Sequence, residues 1–509
     1  MRICSRYRAV LALLAALWIA GAAVSDVARA ASADLRLIQA VKTKDVQAVR
    51  TLLKQRIDVN TPQGDGSTAL HWAARIDDLA IADVLIRAGG RANVVNDTGT
   101  APLHLACVNR SAAMVDRLLA AGADANAAML NGETVLMTCA RSGNAKAVNA
   151  LLLRGAKVNA KETGHEQTAL MWAVAQSHPD VVRLLTEAGA DVHARSKTYP
   201  QNVVGEDTQR AGREELNYTV FAGGMTPLLF AARSGDTASA ALLIAAGADP
   251  NDRLPDGMGA LAFAAFNGRG EVGALLLDKG ATPDDNGAGY TALHAAVLRS
   301  NLMLVNALIA HHANPNIRMT KGTWKRRDGE DFTLPATLIG STPFLLAAKF
   351  LEPEILAALK AGGADASLTM PNGATPLMLA AGINSTNNAS RRGVRVVDFG
   401  KVEPESQALE TVKTVLSLGG DVNATTVAGD TALHGAAAMG YNTVIQLLVD
   451  RGAPLNAKNK RGLTPLGALL GGGRGGRGRG AAAVDAGDNP AVGPSSGTIA
   501  FLRQLGATE

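Results

Sequence analysis

Four histidines, His71, His104, His294 and His434, and two cysteines, Cys107 and Cys139, are the side chains of this chain best suited to metal or redox chemistry. A zinc-binding helix presents two histidines four residues apart on one face, completed by a further ligand. Here each of the four histidines instead directly follows a leucine: Leu70, Leu103, Leu293 or Leu433. A residue that recurs at one place in a repeated phrase belongs to the phrase, so these histidines read as structural and no metal site is expected. His311 and His312 are adjacent, and His165, His178 and His193 are scattered without the helical spacing. Asp249, Asp365 and Asp421 each stand two residues after a glycine, which makes them positional residues, not a catalytic pair. The chain holds no P-loop and no C-x-x-C-H haem site. It reads as a non-catalytic protein that needs no cofactor.

The elements that carry these residues follow from the leucines. Leu37, Leu70, Leu103, Leu136, Leu170, Leu228, Leu261, Leu293, Phe344, Leu377, Leu433 and Leu466 anchor a series whose basic spacing is 33 residues. Four residues before the anchor stands glycine, as at Gly66 and Gly99, with Glu166 the exception; this suits a turn that needs positive φ. Two residues before it stands threonine in most units, placed to cap a helix, and Ala101 and Gly259 depart from this. Proline often comes next, as at Pro102 and Pro227, where a first helical turn tolerates it. Nineteen residues after the anchor a second glycine, as at Gly89 and Gly122, marks a left-handed helix end, with Arg56 and His312 in its place in two units. An apolar stripe such as Val84-Leu85-Ile86 lies between anchor and glycine, so the unit is helix, helix, finger-like turn.

Within this frame Thr68-Ala-Leu-His-Trp-Ala-Ala74 returns as Ala101-Pro-Leu-His-Leu-Ala-Cys107, Thr291-Ala-Leu-His-Ala-Ala-Val297 and Thr431-Ala-Leu-His-Gly-Ala-Ala437. A 33-residue unit with this phrase resembles the ankyrin repeat. The expected fold is all-α: an ankyrin-repeat solenoid of about 12 helix-turn-helix units with short β-hairpin fingers. Thr68, Leu70, His71, Leu103, His104, Leu293, His294, Leu433 and His434 are its repeat-structural residues. Cys107 and Cys139 fall in neighbouring first helices. Helices about 10 Å apart put them beyond disulfide reach, so two buried free thiols are expected. Trp72 and Trp172, two residues past their anchors, are expected in the core.

Residues 1–30 read as a cleaved secretory signal: Arg2, Arg6 and Arg8 precede the apolar run Val10 to Val24, and Ala28-Arg-Ala30 offers a cleavage site. The array then occupies 31–509, with no stable membrane span. Its 46 basic and 44 acidic residues leave a net charge of +2, against +5 for the whole chain, which argues against nucleic acid as partner. The Ala-x-Ala cleavage pattern and the Ala- and Gly-rich, Cys-poor composition favour a bacterial source, and export then means the periplasm or the extracellular space.

Four breaks in the spacing locate insertions: about 196–222 and 319–340 on the finger side, about 384–406 and 471–497 between paired helices. The first carries Tyr199, Tyr218 and Phe221 and the second Trp324, Arg326 and Arg327, six residues of the kind that populate a binding edge. The third holds Arg391, Arg392, Arg395 and Phe399; the last, Gly471 to Gly480, is an arginine-glycine tract read as a loop. The resemblance implies a scaffold that binds a protein partner through the concave face of first helices and fingers. The other reading is an envelope protein that takes a glycan or small ligand on the aromatic insertion residues. Oligomeric state is left open by the sequence.

Overall fold

The computed structural model describes residues 34–205, 216–323, 334, 336–384, 405–471 and 496–509. It divides into two compact units, Met1–Asp191 and Val192–Glu509. The described residues contain twenty-four α-helices, in consecutive antiparallel-style pairs, and one two-stranded sheet.

In the first unit the pairs are α1 (Arg36–Lys42) with α2 (Val46–Lys54), α3 (Ala69–Arg75) with α4 (Leu79–Arg87), and α5 (Pro102–Val108) with α6 (Ala112–Ala120). Next come α7 (Val135–Ser142) with α8 (Ala145–Leu153) and α9 (Ala169–Ala175) with α10 (Pro179–Glu187). The first helix of each pair packs on the first helix of the next, and the second on the second. Close approach of the first helices rests on small residues: Ala73, Ala74, Ala106, Ala140 and Ala173 are fully buried. Leu70, Ile81, Leu85, Leu103, Met114 and Leu118 fill the space between the two helix rows.

The second unit opens with β1 (Thr198–Gly205) and β2 (Leu216–Gly223), antiparallel neighbours that pair Thr198 with Gly223 and Gly205 with Leu216. Its helix pairs are α11 (Pro227–Ser234) with α12 (Thr237–Ala245), α13 (Ala260–Phe266) with α14 (Gly270–Asp278), and α15 (Ala292–Leu298) with α16 (Leu302–Ala310). They continue as α17 (Pro343–Lys349) with α18 (Pro353–Ala361), α19 (Pro376–Ala380) with α20 (Glu405–Ser417), α21 (Ala432–Met439) with α22 (Asn442–Asp450), and α23 (Pro465–Gly471) with α24 (Ser496–Gln504).

Side chains cap helix starts in both rows, although His178, Arg269, Glu352 and Tyr441 make no such bond. Thr134, Thr168, Thr226, Thr342 and Thr375 cap first helices by accepting the backbone N–H three residues on. Second helices use Asp45, Asp78, Ser111, Asn144, Asp236 and Asn301 in the same way. At the finger turn Gly99 has φ +80°, and a Cβ there would lie 2.7 Å from the backbone nitrogen of Leu130 in the next finger. Only glycine meets both conditions. Glu166, at the equivalent place, takes the same left-handed conformation with φ 53°, and His312 does so at the helix-end position with φ 63°.

The expected short hairpin fingers are corrected in one respect. Most fingers are turns closed by pairs such as Gln63 N–H to Ser67 O (2.9 Å) and Asn96 N–H to Thr100 O (3.0 Å), without a strand ladder. They join sideways instead: Asp97 N–H donates to Asp65 O (3.0 Å), Leu130 N–H to Thr98 O (3.2 Å), and Thr163 N–H to Asn131 O (2.9 Å). A turn of four or five residues is too short to hold ladder pairs of its own. The extra length before Gly223 is what permits β1 and β2.

Candidate interaction surface

The phrase residues are consumed inside the fold. His71 is buried at the third position of α3, and its Nδ1 accepts the backbone N–H of Thr68 (3.1 Å). The hydrogen therefore sits on Nε2, which donates to the carbonyl of Thr100 in the next unit (2.9 Å). The same two-sided bond recurs. His104 takes the N–H of Ala101 (3.2 Å) and reaches Glu133 O (3.4 Å). His294 takes that of Thr291 (3.2 Å) and reaches Ser341 O (3.3 Å). His434 takes that of Thr431 (3.1 Å) and reaches Leu463 O (3.1 Å). Ala101 has no hydroxyl, so histidine can close the first helical turn without help from threonine. Burial keeps His71 below the usual imidazole range and pushes His104 and His294 down to about 4, so these rings are neutral at pH 7. With both nitrogens engaged, they staple neighbouring units and have no lone pair to offer a metal. Leu70, Leu103, Leu293 and Leu433 are buried beside them.

A second staple carried no signal in the histidine phrase. Asn126 Nδ2 donates to Gly155 O (3.1 Å), and its Oδ1 accepts from Lys157 N–H (2.8 Å), bridging to the following helix end. Asn60, Asn93, Asn159, Asn251, Asn316 and Asn456 make the equivalent pair of bonds. Counting asparagine at a fixed distance past each anchor would have exposed it.

Cys107 and Cys139 form a disulfide, with 4.6 Å between their Cα atoms, and both are fully buried. This corrects the expectation of free thiols. That expectation equated the separation of helix axes with the separation of Cα atoms. Each Cα lies about 2.3 Å off its axis, so facing residues on helices about 10 Å apart come within about 5.4 Å, inside disulfide range.

Trp72 and Trp172 are also corrected: both are half-buried, because the position two past the anchor borders the open side of the first-helix row. Lys42 Nζ lies 4.1 Å from the Trp72 ring centroid and the Arg75 guanidinium 5.3 Å. Gln63 Oε1 accepts from both Lys42 Nζ (3.1 Å) and the Trp72 indole N–H (3.1 Å). Arg141 lies 4.6 Å from the Trp172 ring and 3.1 Å from Glu133 Oε1, which also accepts the Thr138 hydroxyl (2.8 Å). Val108, at the same repeat position as Arg75 and Arg141, is 55% exposed. Fingertip Leu130 is 79% exposed.

Of the insertion residues, Tyr199 is 42% and Phe221 61% exposed. Tyr199 pairs with Ala222, whereas Phe221 pairs with Pro200, so strand alternation places the two rings on opposite faces of the hairpin. Tyr218 pairs with Val203 in the same ladder. Trp324, Arg326 and Arg327 lie outside the described residues, as do Arg391, Arg392, Arg395 and Phe399.

Models of the family described as ankyrin repeats match residues 37–129, 114–196 and 228–319 in sets of three copies, 170–244 as many copies, and 428–460 as a single repeat. Together they cover more than half of the chain. The chain is an ankyrin-repeat protein. In ankyrin-repeat proteins generally the array mediates protein–protein interaction. The first-helix row and the fingers of this ankyrin array expose Val108 and Leu130, and its second helices expose Leu153 and Met303. Among the described residues no helix is long and apolar enough to cross a membrane.

Proposed function

We propose that the protein is an exported, non-catalytic scaffold: about twelve ankyrin units with four insertions, which bind a protein partner through the concave face and the finger-side insertions. The observation that carries this is the division of labour among side chains. Histidines and asparagines of the repeat spend polar atoms on neighbouring units and its threonines cap their own helices, while Lys42, Arg75, Val108, Arg141 and Leu130 face solvent. Export, to the periplasm or beyond, is supported by the basic and apolar leader and by the buried disulfide between Cys107 and Cys139, a bond that persists in oxidising compartments. Tyr199, Tyr218, Phe221, Trp324, Arg326 and Arg327 are the proposed insertion contacts.

The test is affinity capture from solubilised envelope and secreted fractions with residues 31–509 as bait, beside a version lacking the segments 196–222 and 319–340. A single stoichiometric protein bound by the intact chain, with purified components reproducing the complex, supports the scaffold. Recovery by both versions moves recognition to the first-helix row. Recovery of no protein, together with glycan binding lost in Tyr199→Ala, would replace the scaffold by the ligand-binding reading.

A further inference from the structure

The last turns of successive first helices in the first unit hold Lys42, Arg75, Val108 and Arg141, one repeat apart. All four are exposed. A cation at a helix C-terminus gains from the helix dipole. That alone does not account for the row, since Val108 and Ala175 hold the same position without charge. Lys42 and Arg75 form no ion pair with a carboxylate among the described residues; they rest against Trp72. Arg141 is shared between Trp172 and Glu133. The row thus carries three cations with an apolar gap at Val108; the carboxylates beside it are Glu133, paired with Arg141, and Asp65, which accepts from the Gln63 amide that also meets Lys42. Faces of both indoles already hold cations, which leaves them poor platforms for stacking a sugar.

We infer that this row binds an extended acidic segment of a protein, with carboxylates at every third residue and an apolar side chain opposite Val108. The spacing supplies the period. First helices stand about 10 Å apart. A polyproline-II strand repeats its face every three residues, a rise of about 9.3 Å. Carboxylates at the first, fourth and tenth residues therefore meet Lys42, Arg75 and Arg141, and the seventh residue meets Val108. The cation-aromatic contacts hold the two long basic side chains in place before the ligand arrives, which lowers the ordering cost of binding. This inference rests on the scaffold reading and names the chemistry of its partner.

The experiment uses the purified protein and a labelled ten-residue peptide with glutamate at positions one, four and ten, leucine at seven, and serine and proline elsewhere, tested in both chain directions. Binding is followed by anisotropy and by tryptophan fluorescence at low and physiological salt. The glutamate peptide is expected to bind at least tenfold more tightly than its glutamine counterpart, with affinity falling as salt rises. The pair Lys42→Gln and Arg75→Gln should weaken it about tenfold or more, while Arg50→Gln with Arg87→Gln, on second helices, should not. Circular dichroism and thermal unfolding confirm that both pairs fold. Equal binding of the two peptides, no binding of either, or no effect of the Lys42 and Arg75 pair would overturn the inference. So would tighter binding to oligogalacturonate or to phosphatidylglycerol vesicles than to the glutamate peptide. A captured protein partner indifferent to the Lys42 and Arg75 pair would leave the scaffold standing and remove the acidic segment.

Discussion

Replacing both Cys107 and Cys139 by alanine removes a cross-link between α5 and α7 while leaving the packing nearly intact. Alanine already fills the equivalent buried positions at Ala73, Ala74, Ala106 and Ala140, so the cavity created is small. The bridge spans 32 residues of chain, and restricting the unfolded state over that length contributes about 3.7 kcal/mol on the chain-entropy view. For a cooperative unit of this size each kcal/mol moves the midpoint by about 2–4 °C. The double variant should therefore melt about 10 °C lower in the transition that reports the first unit, with the second unit's transition unmoved. Urea titration followed by tryptophan fluorescence in a Trp324→Phe background reads the first unit, since Trp72 and Trp172 lie there and Trp324 belongs to the second. Because both sulfurs are fully buried, reductant should leave the folded protein untouched and act only once it opens. Midpoints within about 1 kcal/mol of each other would refute the reasoning, as would alkylation of both cysteines in the denatured, unreduced chain.

Three further outcomes follow from the staples and turns. His104 and His294 have folded pKa values near 4, below the unfolded value, so the unfolded chain takes up more protons. Stability is full above about pH 6.5 and is lost toward pH 4, by about 2–3 kcal/mol for each ring at pH 4.5; urea midpoints at pH 7.5 and 4.5 measure it, and a flat profile would contradict the neutral staple. Asn126→Ala frees the Gly155 carbonyl and the Lys157 N–H and should cost about 1–2 kcal/mol by the same titration, with Asn126→Asp restoring only the bond to Lys157. Gly99→Ala meets backbone at 2.7 Å, whereas Gly122→Ala meets nothing within 4 Å. The second should cost about 1 kcal/mol for its left-handed conformation and the first clearly more; equal thermal shifts would contradict the finger contact.

The helical frame was legible because its signals are local. Gly66 and Gly99 mark finger turns, Thr134 and Thr168 cap the helices after them, and both tasks are done by residues within a few positions of the anchor. Glu166 shows the limit of reading residue type alone, since a glutamate takes the conformation that glycine takes elsewhere. Relations between units were harder. The asparagine bridges join residues about one repeat apart, and no neighbouring residue announces them. The disulfide was missed through confusing axis distance with Cα distance. The half-burial of Trp72 and Trp172 depends on which side of a helix row stays open, and hydrophobicity alone does not report that. The hairpin was legible as extra length, but the opposite placement of Tyr199 and Phe221 required the strand register.

Hydrogen–deuterium exchange of the protein with and without its captured partner tests the central claim most directly. Protection by the partner is expected along the ends of α1, α3, α5 and α7 and in the fingers beside them. Protection confined to the second helices α2, α4, α6 and α8, or none from any protein that co-purifies, would contradict it.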